Sequence, residues 1–323
     1  MVVLRVKVAL LGLCLGCLGL SIQEQSQPIQ KQEIRLREVH AIITDQKDHS
    51  LDDITKEDIQ LIQDGVPQTI ESFSLLDMPI RYGLVIDTSG SLRSQFPRVI
   101  QTSKNLVARN RSSDATFVAR FVDSTRINLV REMTANKEQL LASLGTLKVE
   151  GGQTALIDAV YATAEYLIKL EAGSEMKYRK ALVLITDGED RNSFYKSDQL
   201  FKMLRNKNLK IFVIGLVQEL DNEGGFSRKA PRERALELIG QLTKTTGGRA
   251  FFPNKAQDFE RVVDELSHDL QKQYVLSYRP EPGAIKKEHE VQIKVSDTPD
   301  KRKRQALLKS KYSAEDLEGA NNR

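Results

Sequence analysis

The chain has 323 residues, of which 40% are hydrophobic and 28% charged, the balance of an ordinary globular protein with one large domain or two. Its formal net charge is +4, and subtracting Arg5 and Lys7, the two cations of the first 22 residues, leaves +2. A net charge this small does not indicate the concentrated basic surface that nucleic-acid binding needs. Both cysteines, Cys14 and Cys17, lie in the same stretch, so a chain cleaved after it has neither disulfides nor zinc–thiolate sites.

Residues 1–22 have the layout of a secretory signal peptide. Arg5 and Lys7 precede the apolar stretch Val8–Leu20, and small residues favour cleavage after Ser21. The stretch is short for a bilayer span, so we expect membrane contact only through an uncleaved anchor or through lipid on Cys17. We predict an exported bacterial protein. Periplasm, cell surface and secretion remain open.

Two short segments precede the main part of the chain. Residues 23–33 are rich in Gln and Glu, without periodic apolar positions, and predict a disordered linker. Residues 34–79 predict an N-terminal β segment, in which Val39–Thr44 and Ile59–Gln63 are strand-like. Asp64-Gly65 is a hairpin turn signal, and Pro67–Phe73 is predicted as one returning strand.

Residues 80–272 alternate between strand and helix patterns. The predicted strands are Tyr82–Thr88, Thr116–Val122, Ile127–Arg131, Ala181–Thr186, Lys210–Val217 and Arg249–Phe252. The predicted helices are Phe96–Arg109, Lys137–Leu144, Thr154–Leu170, Ser197–Lys207, Arg232–Thr245 and Gln257–Lys272. This alternation predicts the α/β class, with a doubly wound, mostly parallel sheet and helices on both faces.

Residues 273–312 return to a β pattern and form the predicted C-terminal β segment. Tyr274–Tyr278 and His289–Val295 are strand-like, Gln305–Tyr312 is predicted as a third strand, and 313–323 as a disordered tail. We expect the two β segments to pack together as a small module flanking the α/β core.

The motif Asp87-Thr88-Ser89-Gly90-Ser91 follows an apolar strand pattern and precedes a predicted helix. It places one carboxylate and two hydroxyls at the carboxyl end of a buried strand, where open α/β sheets bind ligands. Oxygen ligands of this kind suit a hard cation such as Mg²⁺. Thr154, at the start of a helix, and Asp187, at the end of another strand, add a hydroxyl and a carboxylate. In the strand order 3-2-1-4-5-6, strands 1 and 4 are neighbours, so we expect Asp87 beside Asp187.

These residues resemble the metal-ion-dependent adhesion site (MIDAS) of the von Willebrand factor type A (vWA) domain, and the resemblance covers residues 80–272. It implies that Ser89 and Ser91 bind Mg²⁺ directly and that Thr154 binds directly or through water. Asp87 and Asp187 act mainly through bridging waters, and the partner's own Asp or Glu carboxylate completes the octahedron. Mn²⁺ or Ca²⁺ could take the place of Mg²⁺.

The flanks show a narrower resemblance. Asp58–Phe73 is similar to the N-terminal signature of the VWFA-related Acidobacterial domain family, which usually has Phe and Glu where Ile59 and Gln63 stand. Gln273–Tyr278, followed by Pro280, is similar to that family's C-terminal piece. The resemblance implies architecture and export, and no activity.

Other residues near the motif have simpler interpretations. Asp158 is expected to support the first turns of its helix, not to bind metal. Glu189 and Asp190 are expected in a solvated loop.

An enzyme is not expected. The four histidines lie outside the motif segments, which argues against a Ser-His-Asp hydrolase, and there is no Gly-x-Ser-x-Gly elbow. A Mg²⁺-dependent phosphatase with Asp87 as nucleophile is a weak alternative, because Ser89 stands where such enzymes have a second Asp.

The sequence therefore predicts an exported vWA protein that binds, through Mg²⁺, a protein or peptide with an exposed carboxylate. The alternative is an envelope scaffold or assembly component with a purely structural metal site. The partner, the oligomeric state and the open or closed resting state of the site are not determined by the sequence.

Overall fold

The computed structural model describes residues 36–170, 178–205, 207–220, 229–280, 288–297 and 302–313. The predicted signal peptide (1–22), linker (23–33) and residues 314–323 of the predicted tail lie outside these ranges. Those predictions, and the predicted domain boundaries, remain predictions. No helix in the described ranges combines the length and the apolar character needed to cross a membrane.

Helices and strands alternate through most of the described chain. The helices are α1 (Phe96–Ala108), α2 (Lys137–Gly145), α3 (Leu156–Lys169), α4 (Ser197–Arg205), α5 (Pro231–Thr246) and α6 (Ala256–Gln271). The strands are β1 (Arg37–Asp45), β2 (Ile59–Gln63), β3 (Val66–Gln68), β4 (Ile70–Asp77), β5 (Ile80–Asp87), β6 (Ala115–Phe121), β7 (Ile127–Thr134), β8 (Arg179–Thr186), β9 (Lys210–Gly215), β10 (Ala250–Phe251), β11 (Lys272–Tyr278), β12 (Glu288–Val295), β13 (Arg304–Leu307) and β14 (Lys311–Ser313).

The central sheet has the order β10-β9-β8-β5-β6-β7. All neighbours in it are parallel except β6 and β7, which form an antiparallel hairpin. Counted along the chain, this is the predicted order 3-2-1-4-5-6. The predicted α/β class and doubly wound, mostly parallel sheet are confirmed. The order makes β5 and β8 neighbours, with Ile86 paired to Ile185.

Two hydrophobic cores cover the two faces of this sheet, because successive side chains of a strand point to opposite faces. In β8, Val183 and Ile185 join the core formed with α1, α2 and α6. Leu182 and Leu184 join the core formed with α3, α4 and α5. A strand buried on both faces appears in the sequence as a continuous apolar run, which is the pattern that predicted it.

The flanking β module consists of two four-stranded sheets, with orders β13-β1-β11-β4 and β14-β12-β2-β3. Each sheet combines strands from both ends of the chain: Arg37 of β1 pairs with Tyr278 of β11, and Gln63 of β2 with Val291 of β12. Apolar side chains of both sheets share a third core. The expectation that the two β segments pack together is therefore confirmed.

Two strand predictions in this module are wrong. Pro67–Phe73 is not one strand, because β3 and β4 separate at Thr69 and enter different sheets. Pro67 lacks an N–H, which suits the edge position of β3 but not the interior of a sheet. Gln305–Tyr312 is likewise divided between β13, which pairs with β1, and β14, which pairs with β12. The predicted turn is present, and both Asp64 and Gly65 have positive φ.

Candidate functional site

The carboxyl end of β5 supplies the first part of the site. Asp87 is completely buried. Its Oδ1 accepts the N–H of Ser89 at 2.9 Å, and its Oδ2 accepts the hydroxyl of Thr186, on the neighbouring strand β8, at 2.8 Å. The carboxylate is therefore fixed from two strands at once.

Asp187 follows the end of β8 and contacts the same motif. The Ser91 hydroxyl donates to its Oδ2 at 2.6 Å, and Ser91 Oγ lies 3.0 Å from Ser89 Oγ. The N–H of Glu189 donates to its Oδ1 at 3.0 Å. The two carboxylates and two hydroxyls expected from the sequence thus form one connected group at the junction of β5 and β8.

Thr154 lies in the loop before α3, because the helix begins at Leu156 and not at Thr154 as predicted. Thr154 is buried, and its carbonyl accepts the N–H of Arg191 at 2.8 Å. In the same loop, the N–H of Glu150 donates to the carbonyl of Thr88 at 2.8 Å. Main-chain hydrogen bonds therefore connect the Thr154 loop to both other segments of the site.

In the loop after β8, more side chains are buried and paired than the sequence suggested. Glu189 is only 5% exposed, so its prediction as a solvated residue is wrong. Its carboxylate pairs with Arg191, and the loop folds back against Thr154. Asp190 is half-buried and accepts the N–H of Ile157 at 3.0 Å.

Asp158 has a positioning role that sequence reasoning underestimated. Its two carboxylate oxygens accept the N–H groups of Phe194 and Tyr195, at 2.8 and 2.9 Å. The residue supports the loop after β8 as well as lying in the first turn of its own helix. An Asp in the first turn of a predicted helix was the available signal, but its partners lie 36 and 37 residues away.

The electrostatics of the site favour a cation. Burial, and after it the charge of Asp187, raise the pKa of Asp87 above its usual range. A cation between the two carboxylates would compensate both effects. The donors are hydroxyl and carboxylate oxygens, which suit a small hard ion such as Mg²⁺. The described residues contain no group of three or more His, Cys, Asp or Glu suited to a metal.

A cleft of about 330 Å³ opens beside the site. Ser91 and Asp187 form part of its wall. Ser91 is exposed, whereas Asp87, Ser89, Thr154 and Asp187 are each at most 3% exposed. A ligand can therefore approach the group from the Ser91 side.

Three of the four histidines have side-chain partners away from the site. His49 lies beside Asp45, His268 beside Asp52 and His289 beside Asp64.

An open, doubly wound sheet with an oxygen-rich group at its carboxyl edge defines a class of α/β ligand-binding domains. The model of the von Willebrand factor type A domain family matches residues 83–265, more than half of the chain, and the chain belongs to this family. Domains of this family are commonly protein-interaction modules that bind a divalent metal.

Several solved structures are similar. BatB, a conserved hypothetical protein from Bacteroides thetaiotaomicron, is 16% identical with a TM-score of 0.43, over 59% of this chain and 98% of that chain. A von Willebrand factor type A protein from Catenulispora acidiphila is 13% identical with a TM-score of 0.45, over 88% and 74%. The open conformation of the pilus adhesin SpaC from Lactobacillus rhamnosus GG is 10% identical with a TM-score of 0.49, over 78% and 47%.

Proposed function

We propose that this protein is a Mg²⁺-dependent binding module that captures an Asp or Glu carboxylate of a protein or peptide partner. The observation that carries the proposal is the connected group at the junction of β5 and β8, with Ser91 Oγ 2.6 Å from Asp187 Oδ2 and 3.0 Å from Ser89 Oγ. The group lies beside an open cleft, and main-chain hydrogen bonds connect the Thr154 loop to the two segments that form it.

The hydrogen bonds support a division of roles within the group. Both oxygens of Asp87 already accept bonds from the chain, and so do both oxygens of Asp187. Each oxygen keeps lone pairs that suit a metal-bound water. In this proposal Ser89 and Ser91 contact Mg²⁺ directly, Thr154 does so directly or through water, and the two carboxylates hold the coordinated waters and orient the hydroxyls.

The neutral hydroxyls explain why the partner should be acidic. When bound, Mg²⁺ supplies a concentrated positive charge with an open coordination position. Direct ligands without charge leave that positive charge largely uncompensated, so a partner carboxylate gains strongly. Ser91 is the exposed member of the group and therefore marks where the partner enters.

The proposal includes export, which the apolar stretch Val8–Leu20 behind Arg5 and Lys7 supports.

The first test is calorimetric titration of the full chain with Mg²⁺. Binding should be measurable for the wild type and lost in Asp87→Ala. Ser113→Ala is the matched control, because Ser113 is an exposed serine in the turn between α1 and β6, at the opposite edge of the sheet. Unchanged Mg²⁺ binding in Asp87→Ala would contradict the assignment of the site.

The second test asks whether the metal serves a partner. The immobilised protein is incubated with native envelope extract in Mg²⁺ or in EDTA, together with Ser91→Ala and Ser113→Ala. The partner should be retained in Mg²⁺ by the wild type and by Ser113→Ala, and lost with EDTA or with Ser91→Ala. Changing one acidic residue of the identified partner to its amide should also abolish retention. Equal retention under all conditions would favour a scaffold whose metal site is structural.

A further inference from the structure

Two basic residues lie at the amino edge of the central sheet, the edge opposite to the candidate site. Arg179 is the first residue of β8 and Lys210 the first residue of β9, and they are only 9% and 8% exposed. Because side chains alternate along a strand, Arg179 points to the same face as Val183, and Lys210 to the same face as Phe212. Val183 and Phe212 both belong to the core formed with α1, α2 and α6. The two basic side chains therefore lie on one face of the sheet, at the end of this core.

Strand β1 of the flanking module packs against the same place. Ala41 belongs to the core of the module, whereas Ile42 belongs to the core of the central sheet. His40 alternates with Ala41 and therefore faces the central sheet. Burial, and after it the charges of Lys210 and Arg179, lower the pKa of His40 to about 4. Three basic side chains thus face one another where the module meets the central sheet.

The guanidinium of Arg179 has few acceptors. Its Nη2 donates to the main-chain carbonyls of Met78, at 3.1 Å, and of Gln271. Its Nε and Nη1 are buried and have no hydrogen-bond partner among the described residues. The two carboxylates that act on Arg179 both pair with Arg111. A buried cationic donor without an acceptor is costly, so a further acceptor is expected beside Nε or Nη1.

The ammonium group of Lys210 is also held by carbonyls. Its Nζ donates to the Gly247 carbonyl at 2.8 Å and lies 3.5 Å from the His40 carbonyl. Burial, and after it the neighbouring guanidinium, lower the pKa of Lys210 to about 7. The carboxylate that acts on Lys210 is that of Asp269, which pairs with Arg249 at 3.0 Å. In the described part of the chain, no carboxylate is in direct contact with Lys210.

We infer that a small monovalent anion, such as chloride, binds between Arg179 and Lys210, beside His40. Nε or Nη1 of Arg179 and Nζ of Lys210 donate to it. Its negative charge compensates the positive charge that burial makes costly, whereas a water molecule supplies lone pairs without charge. The anion joins β1 of the flanking module to the amino edge of the central sheet. The inference does not depend on the proposed function, because the candidate metal site lies at the opposite edge.

The charge of the two donors favours a monovalent anion. Burial lowers the pKa of Arg179 to about 10, so this residue stays charged at neutral pH. Lys210 is only partly charged there. A sulfate or phosphate would therefore bring more negative charge than the two groups compensate, and burial would make the excess costly.

The first test is thermal unfolding of the full chain in EDTA, in mixtures of sodium chloride and sodium gluconate at constant ionic strength. Chloride at ten times its dissociation constant should raise the Tm by about 2 °C, and the rise should saturate. Arg179→Gln should show no such rise. Arg81→Gln is the matched control, because Arg81 lies at the same edge of the sheet but points to the opposite face, with Val85. It should keep the rise of the wild type.

The second test uses the wild type alone and therefore decides the question even if Arg179→Gln does not fold. Crystals are grown in sodium bromide, and an anomalous difference peak should lie in contact with Nε or Nη1 of Arg179. A chloride-dependent rise that Arg179→Gln retains, or that Arg81→Gln loses, would overturn the inference. So would the absence of a rise in the wild type. Crystals without bromide at this position would overturn it as well, and would leave water as the partner of Arg179.

Discussion

Replacing Asp87 by Asn should make the metal-free protein more stable and insensitive to Mg²⁺. The change removes one of two neighbouring carboxylates buried at the junction of β5 and β8. Holding an uncompensated charge there costs several kcal/mol. Against this, Asn gives up a charge-assisted acceptor worth about 1.5–3 kcal/mol. The isosteric amide can still accept the N–H of Ser89 and donate to the hydroxyl of Thr186. From these two opposing contributions, we expect the free energy of unfolding in EDTA to rise by about 1–2 kcal/mol.

The assay is thermal unfolding of the wild type and Asp87→Asn in EDTA and in excess Mg²⁺. At 100 times its dissociation constant, Mg²⁺ should stabilise the wild type by about 2.7 kcal/mol, a rise in Tm of roughly 4 °C for a chain of this size. The variant should melt higher than the wild type in EDTA and show no shift with Mg²⁺. Asp198→Asn, on the exposed first turn of α4, should keep the wild-type shift. A full Mg²⁺ shift in Asp87→Asn, or a lower Tm in EDTA, would refute the reasoning.

Three further predictions concern the support of the site and of the fold. Asp158→Ala removes the acceptor of the N–H groups of Phe194 and Tyr195, so it should lower the free energy of unfolding by about 2–4 kcal/mol and weaken Mg²⁺ binding. An unchanged free energy of unfolding in denaturant titrations and an unchanged Mg²⁺ affinity would contradict its positioning role. Gly188→Ala should destabilise by about 1–3 kcal/mol, because Gly188 has φ +82° and an added Cβ would lie 2.6 Å from Ile239 Cδ1; a denaturant midpoint equal to wild type would show that the loop relaxes freely. Burial lowers the pKa of Lys210 to about 7, so between pH 7 and 10.5 the unfolded chain binds the additional proton. The free energy of unfolding of wild type relative to Lys210→Met should then rise across that window by up to about 5 kcal/mol, and parallel pH profiles would be the contrary result.

The central sheet was predictable because its signal is local. A strand buried on both faces needs a continuous apolar run, and β8 shows one that ends at the predicted Asp187. The site follows from the same rule, since β5 and β8 are neighbours at the switch point and their ends meet. Whether an ion binds there is a question for the titrations above.

The flanking module was less predictable, because its pairing is not local. Nothing in Pro67–Phe73 or Gln305–Tyr312 indicates that each segment divides between two sheets, since the division depends on which distant strand each half meets. The burial of Glu189 depends on how the loop after β8 folds against Thr154. Sequence patterns describe such segments one at a time and contain no information on which distant segment each one pairs with or packs against.

The interleaving of both chain ends in the flanking sheets has a consequence for biogenesis. Arg37 pairs with Tyr278, which the ribosome adds 241 positions later. At ordinary elongation rates, β1 therefore waits about 12–50 s for its β11 partner, with its hydrogen-bonding edge uncovered. A nascent chain stalled anywhere before β11 exposes an unpaired strand edge that favours aggregation, so synthesis of β11 and β13 determines when β1 completes its native pairing.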